Sequence, residues 1–279
     1  MVFMPEVGAA VVGGTITEVG RFALNQFGNR MRLRSANRLW APLLTQHIDI
    51  VMSEFSNAPA AADPQVKLVR NIGVNHLISK GVAHAVAVTI SFLAKEFRKY
   101  DCTSHGDKTI RHDLKDNLLL IGSPVTNKYS ASVFRSLADS MDLGFEIKHD
   151  ESTIQIVDTA SGNVYEPHFD GDSGTDYALV IRAQISKVPP RWCLMLCGAS
   201  MWGVEGAAEV VTSPRGLKRI SRYLAPENNV AFLVRVAIIN MGAQNPEILP
   251  LDKNRREYVR VLKPRATSAV LREARAAHP

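Results

Sequence analysis

The chain is poor in cysteine, with Cys102, Cys193 and Cys197 the only three among 279 residues. An odd number closes no disulfide framework and points to a reducing, cytoplasmic setting. Cys193 and Cys197 fall on one face of an apolar run, but a zinc pair needs two further ligands nearby in sequence, and these are missing. Buried thiols are expected, and no metal site. Long hydrophobic runs are lacking too. The uninterrupted part of Val7 to Phe27 ends at Thr17, short of the ~20 residues a spanning helix needs. It also lacks the basic leader and cleavage layout of a secretory signal. There is no internal repeat and no low-complexity tract. No Lys-Ser/Thr follows a glycine loop to make a P-loop, and no Ser-His-Asp or Cys-His order suggests a hydrolase.

What is present describes a globular chain. Hydrophobic residues make up 46% and charged residues 22%, an ordinary balance for a protein with a sizeable core. The formal charge of +6 and pI near 9.3 favour anionic company: nucleotides, nucleic acid or an anionic membrane surface. No specific nucleic-acid motif accompanies that charge.

The most informative stretch is Arg191 to Pro214. The apolar run Trp192 to Cys197 has the length of a buried strand. Gly198, Gly203 and Gly206 follow, and Ala207 to Val211 continues as a small-residue helix. Strand, glycine-rich turn and helix form the local architecture of a phosphate site, where backbone amides and a helix amino end face an anion. The spacing G-x4-G-x2-G differs from the dinucleotide fingerprint. Gly198, Ser200, Gly203 and Gly206 are the candidate cradle.

Ahead of this stretch, Arg30, Arg32, Arg34 and Arg38 precede an amphipathic run of Leu39, Trp40, Leu43, Leu44, Ile48, Val51 and Phe55. A helical segment over 1–56 is expected. It serves either as a peripheral membrane anchor or as a hairpin that packs on the main domain or on another subunit. Residues 57–70, with SNAPAAADP, read as a linker. Two more strand-turn-helix junctions follow within 71–264. The first is Ser79-Lys80-Gly81, with His84 in the first turn of the next helix as a ligand or a packed residue. The second is the strand Asn117 to Gly122, continuing into Ser123-Pro124 and a helix from Lys128. There Gly122 allows close approach, and Ser123, Thr126 and Asn127 offer hydrogen bonds or a helix cap. Asp101 to Asp116 reads as an exposed polar loop, with no compact ligand spacing among its histidines and aspartates.

From Phe145 the pattern alternates as strands, with a turn at Asp158 to Gly162, a polar loop over Asp170 to Asp176 and a strand over Tyr177 to Gln184. The polar loop lacks the glycine and glutamate of an EF-hand. Val230 to Ile239 is a long apolar strand, expected to run parallel with Asn117–Gly122 and Trp192–Cys197 at the sheet centre, Met241 to Asn254 is a loop, and Arg256 to Leu262 an edge strand. A basic helical tail covers 265–279. The expected fold is α/β, a Rossmann-like three-layer sandwich with a mixed sheet and a mid-chain β-hairpin, preceded by the N-terminal helical segment.

The three junctions plus the mid-chain hairpin resemble, in layout, bacterial Rossmann-like nucleotide-sensing and effector domains of the SLOG and TIR-like kinds. Such domains occur in defence systems and often carry N-terminal membrane or assembly helices. The resemblance implies a nucleotide-type ligand and no particular catalytic residue. Taken with the residues above, it leads to a cytoplasmic ligand-binding domain for a nucleotide-like anionic small molecule, peripheral to the membrane or self-associating. Its ligand-binding candidates are Ser79, Gly81, His84, Gly122, Ser123, Asn127 and the cradle residues. An N-glycosidase or hydrolase using Glu205 is the enzymatic alternative, and a purely structural role for the glycine turns is the third. The sequence names no cofactor.

Overall fold

The computed structural model describes residues 33–56, 68–70, 76–99, 101–110, 113–150, 153–252 and 257–265. In chain order, a helix α1 (33–40) leads through a short 3-10 turn to strand β1 (Ile48–Met52). Short strands β2 (Phe55–Ser56), β3 (Leu68–Arg70) and β4 (His76–Ser79) pair among themselves. Helix α2 (Lys80–Phe97), strands β5 (Cys102–Gly106) and β6 (Asn117–Ile121), and helix α3 (Lys128–Ser140) follow. The middle of the chain holds β7 (Met141–Asp142), β8 (Phe145–Asp150), β9 (Thr153–Asp158), β10 (Val164–Tyr165) and β11 (His168–Asp170). Then come the long hairpin of β12 (Ser173–Lys187) and β13 (Pro190–Gly198), and helices α4 (Met201–Thr212) and α5 (Pro214–Ser221). Strands β14 (Val230–Ile239), β15 (Gly242–Ile248), β16 (Arg260–Val261) and β17 (Lys263–Pro264) complete it.

One nine-stranded sheet organises these elements, in the order β15-β14-β12-β13-β6-β1-β5 with β11 and β16 at its flanks. The half from β13 to β5 is parallel and the half from β15 to β13 antiparallel. This is the expected mixed α/β sheet. The strands β6 and β13 are parallel neighbours, as their unbroken apolar runs require. Successive residues of β6 enter opposite cores. Leu119 and Ile121 meet α1, α2, α4 and α5, while Leu118 and Leu120 meet α3 and the small sheet of β8, β9 and β10. Three layers result. Burial of each such side chain contributes ~1.5–3 kcal/mol. Cys193 and Cys197 lie in the second core, free and fully buried, and burial pushes both thiols far up.

Four expectations are corrected. The stretch expected to be helical through Phe55 stops being so at the 3-10 turn, and Ile48–Met52 instead forms β1, buried along its length between β5 and β6. Strand β1, from the N-terminal segment, therefore belongs to the same sheet as β5 and β6. Cys102–Gly106 is an edge strand rather than a loop. Gly242–Ile248, also expected as loop, is the strand β15. Finally, β14 belongs to the same sheet but runs antiparallel to its neighbour β12, so it does not join the parallel centre.

The apolar stripe after the arginines is core. Ala36, Leu39, Trp40 and Leu43 are fully buried, and the Trp40 indole donates to the Val211 carbonyl at 2.8 Å. Buried Arg182 donates from below to the carbonyls of Arg38, Leu39, Ala225 and Asn228. No helix among the described residues is long and apolar enough to cross a membrane. The expectations for Val7 to Phe27, for Arg30 and Arg32, for most of the linker and for the basic tail lie outside the described residues.

Candidate functional site

The parallel strands β1, β6 and β13 end at one edge of the sheet, and α2, α3 and α4 begin there. In an open α/β sheet this edge is where ligands bind. A cavity of about 430 Å³ opens at that edge. Its floor is made by Ser53 after β1, Gly122 and Ser123 after β6, and Gly198 and Ser200 after β13. Ser79 and Val82 come from the start of α2, and Met201, Trp202 and Val204 from α4. The opposite wall is non-local: His149, Thr153 and Ile154 at the β8–β9 turn, and Phe169 on β11. Phe169 and Trp202 meet with ring centroids 5.4 Å apart, an aromatic flank to the cavity.

Gly122 has φ +118°, and a Cβ there would fall 1.8 Å from the Ser53 hydroxyl oxygen. Both facts demand glycine. Ser53, Ser123 and Thr126 form a hydroxyl cluster beneath it: Ser53 Oγ lies 3.1 Å from Thr126 Oγ1, and Ser123 Oγ lies 3.4 Å from the same atom. Ser79 caps α2, its hydroxyl accepting from the Val82 amide at 3.3 Å.

The amino end of α4 is already occupied. Asp176 on β12, fully buried, accepts from the Tyr177 amide at 2.7 Å and the Ser200 amide at 3.2 Å through Oδ1. Its Oδ2 accepts from the Ser200 hydroxyl and the Gly203 amide. Burial pushes the carboxyl up to about 6, against the opposite pull of the Ser200 hydroxyl and the three amides. The start of α3 is treated alike. Asp107, buried, accepts from the Lys128 amide at 3.1 Å and the Glu54 amide at 2.8 Å. In both places a carboxylate of the protein stands where a bound anion would otherwise sit.

Of the residues singled out in the sequence, Ser79, Gly122, Ser123, Thr126, Gly198 and Ser200 gather around the cavity. The others do not line it. A Cβ on Gly203 would come within 2.3 Å of the Tyr177 carbonyl oxygen, so Gly203 serves the seating of α4 on β12. Gly206 packs on Val236 and Gly81 on the Met201 backbone, both too closely for a side chain. Glu205, between Gly203 and Gly206 of the expected glycine-rich turn, lies within α4 with only 17% of its side chain exposed. It faces His84 of α2 at 3.8 Å. Asn127 is fully buried, caps α3 at the Ser130 amide, and donates to the carbonyls of Val51 and Ile121. Its role is to fasten α3 to the strand ends.

Sequence reasoning passed over Ser53, whose position at the end of a parallel strand is visible only once Ile48–Met52 is known as one. It placed Asp176 at the end of a polar loop, without a role, where the structure has it within β12. The wall from His149 to Phe169 carries no local signal. Among the described residues no carboxylate lines the cavity, and no group of three or more potential ligands is arranged to hold a metal ion. No protein-family model, curated protein or solved structure matches this chain.

Proposed function

We propose that the chain is a ligand-binding α/β domain whose cavity recognises a nucleotide-like, anionic small molecule, held through its nucleoside portion. The observation that carries this reading is the cavity itself. Its volume lies within the ~300–1,000 Å³ typical of small-molecule sites. It pairs an aromatic flank, Phe169 and Trp202, with hydroxyls at Ser53, Ser79, Ser123, Thr126 and Ser200. A flat base suits the first and a sugar the second. The overall charge of +6 favours an anionic ligand's approach, and the resemblance in layout to SLOG and TIR-like domains, read from the sequence, suggests the same ligand class.

The glycosidase reading is the weaker one, because Glu205 turns away from the cavity into its contact with His84. Contact with an anionic membrane or a second copy falls to residues before 33, since the stripe from Leu39 to Leu43 is engaged in the core.

Thermal unfolding against a panel of nucleosides and nucleotides tests the proposal. A ligand at a hundred times its dissociation constant adds ~2.7 kcal/mol and raises Tm by roughly 5–10 °C in a chain of this size. Replacing Gly122 by Ala, which fills the floor, removes that shift. A panel that moves Tm nowhere, or an undiminished shift in the variant, refutes the assignment.

A further inference from the structure

We propose that Asp176 and Ser200 decide which part of the ligand lies against α4: a hydrogen-bond donor, hydroxyl or amino, and not a phosphate. The inference rests on the nucleotide-like reading and narrows it to recognition of the uncharged, donor-rich nucleoside moiety. A serine hydroxyl has one hydrogen, and that of Ser200 is committed to the Asp176 carboxylate. A bond to an ionised acceptor is roughly twice as strong as one between neutral groups, so a ligand oxygen competes poorly for it. Toward the cavity Ser200 offers only lone pairs. The Ser200 and Gly203 amides, which a phosphate would otherwise engage at this helix end, are also held by Asp176. The carboxylate is fully buried and has no ion-pair partner among the described residues, so its charge bears directly on whatever lies beside Ser200.

The hydroxyls across the floor differ. Ser53, Ser123 and Thr126 bond to one another and to backbone carbonyls at 3.1–3.4 Å, contacts long enough to be redirected to a ligand. The cavity therefore has one fixed acceptor at α4 and an adaptable floor opposite.

Calorimetric titration of the full chain at neutral pH tests this, using the four ribonucleosides and their 5′-monophosphates, with thermal unfolding of each variant as the check on folding. Wild-type protein is expected to bind at least one nucleoside no more weakly than its monophosphate. Ser200→Ala weakens that nucleoside about tenfold, the loss of one hydrogen bond left unmade. Asp176→Asn, near-isosteric and uncharged, shifts the preference toward the monophosphate by about tenfold or more. If the Asn variant does not fold, the wild-type order and the Ser200→Ala result decide. A monophosphate bound about tenfold tighter than its nucleoside by wild type, or an unchanged nucleoside affinity in Ser200→Ala, overturns the inference. Binding of no probe at all overturns the nucleotide reading beneath it, a distinct outcome.

Discussion

Asp176 is surrounded so that two donors point at each carboxylate oxygen, Tyr177 and Ser200 amides at one, Ser200 hydroxyl and Gly203 amide at the other. All four are donors, so the ionised carboxylate meets every one of them, while a protonated carboxyl or an amide keeps the shape and gives up part of one side. Burial nevertheless outweighs these donors and raises the carboxyl from 3.8 to about 6. The folded chain then binds more protons than the unfolded one between those values. The stabilisation from protonated Asp176 is fully present below about pH 4 and is lost as pH rises through about 6. A rise of about two units corresponds to about 3 kcal/mol. Chemical unfolding from pH ~4 to ~7 is expected to show that stability relative to Asp176→Asn declines along this window. A flat difference, or one that grows with pH, contradicts the account.

At the scale of elements, the strands most legible in the sequence are those buried on both faces. Asn117–Ile121 and the apolar part of Pro190–Gly198 carry no polar side to mislead, apart from Asn117 at an end, where its amide reaches the Pro42 and Leu43 carbonyls. β1 was hidden by Asp49, which breaks its apolar run but is itself buried and bonded to His105 at 2.9 Å. With that break, Ile48, Val51 and Phe55 fit a helical spacing as well as a strand. β5 looked like a loop because an edge strand tolerates polar residues, here Thr103 and Ser104 exposed beside His105. Glycines gave the opposite error. Gly203 and Gly206 exist for close helix-to-sheet approach, and sequence cannot tell that need from a ligand-binding turn.

The docking of α1 has its own signature at this scale. Arg182 ties the end of α1 to the loop after α5 through four carbonyls, and its side chain is fully buried, with the guanidinium also 5.6 Å from the centre of the Trp192 ring. Desolvation lowers its pKa to about 10, which still leaves it charged at neutral pH. Replacing Arg182 by Met leaves those carbonyls without a donor. The expected cost is ~3–5 kcal/mol, as for other broken buried charge networks. Hydrogen exchange is expected to quicken in residues 33–45 before the rest of the sheet. Uniform quickening across β6 and β13 would place Arg182 in the general core instead.

For the whole molecule, strand β1, next to the sheet's parallel edge, decides what can be removed. It is hydrogen-bonded on both sides, to β5 and to β6, and its following Ser53 forms part of the cavity floor. A chain that begins at Ala60 lacks β1, α1, Trp40 and Ser53 together, so β5 loses its one partner among the described residues and the first core loses one wall. A chain that begins at Leu33 keeps all of them. The shorter one is expected to lose cooperative urea unfolding, the longer one to retain it along with any nucleoside-induced rise in Tm. A second comparison tests lipid contact by the segment before residue 33. Flotation with phosphatidylserine vesicles compares full-length protein with the chain starting at Leu33. Because Leu39, Trp40 and Leu43 face the core, a difference belongs to residues before 33, and floating of both forms alike assigns lipid contact to the folded domain. Cooperative folding of the chain starting at Ala60, with native-like far-ultraviolet dichroism, would show that the parallel half of the sheet assembles without β1 and would refute the single-sheet account.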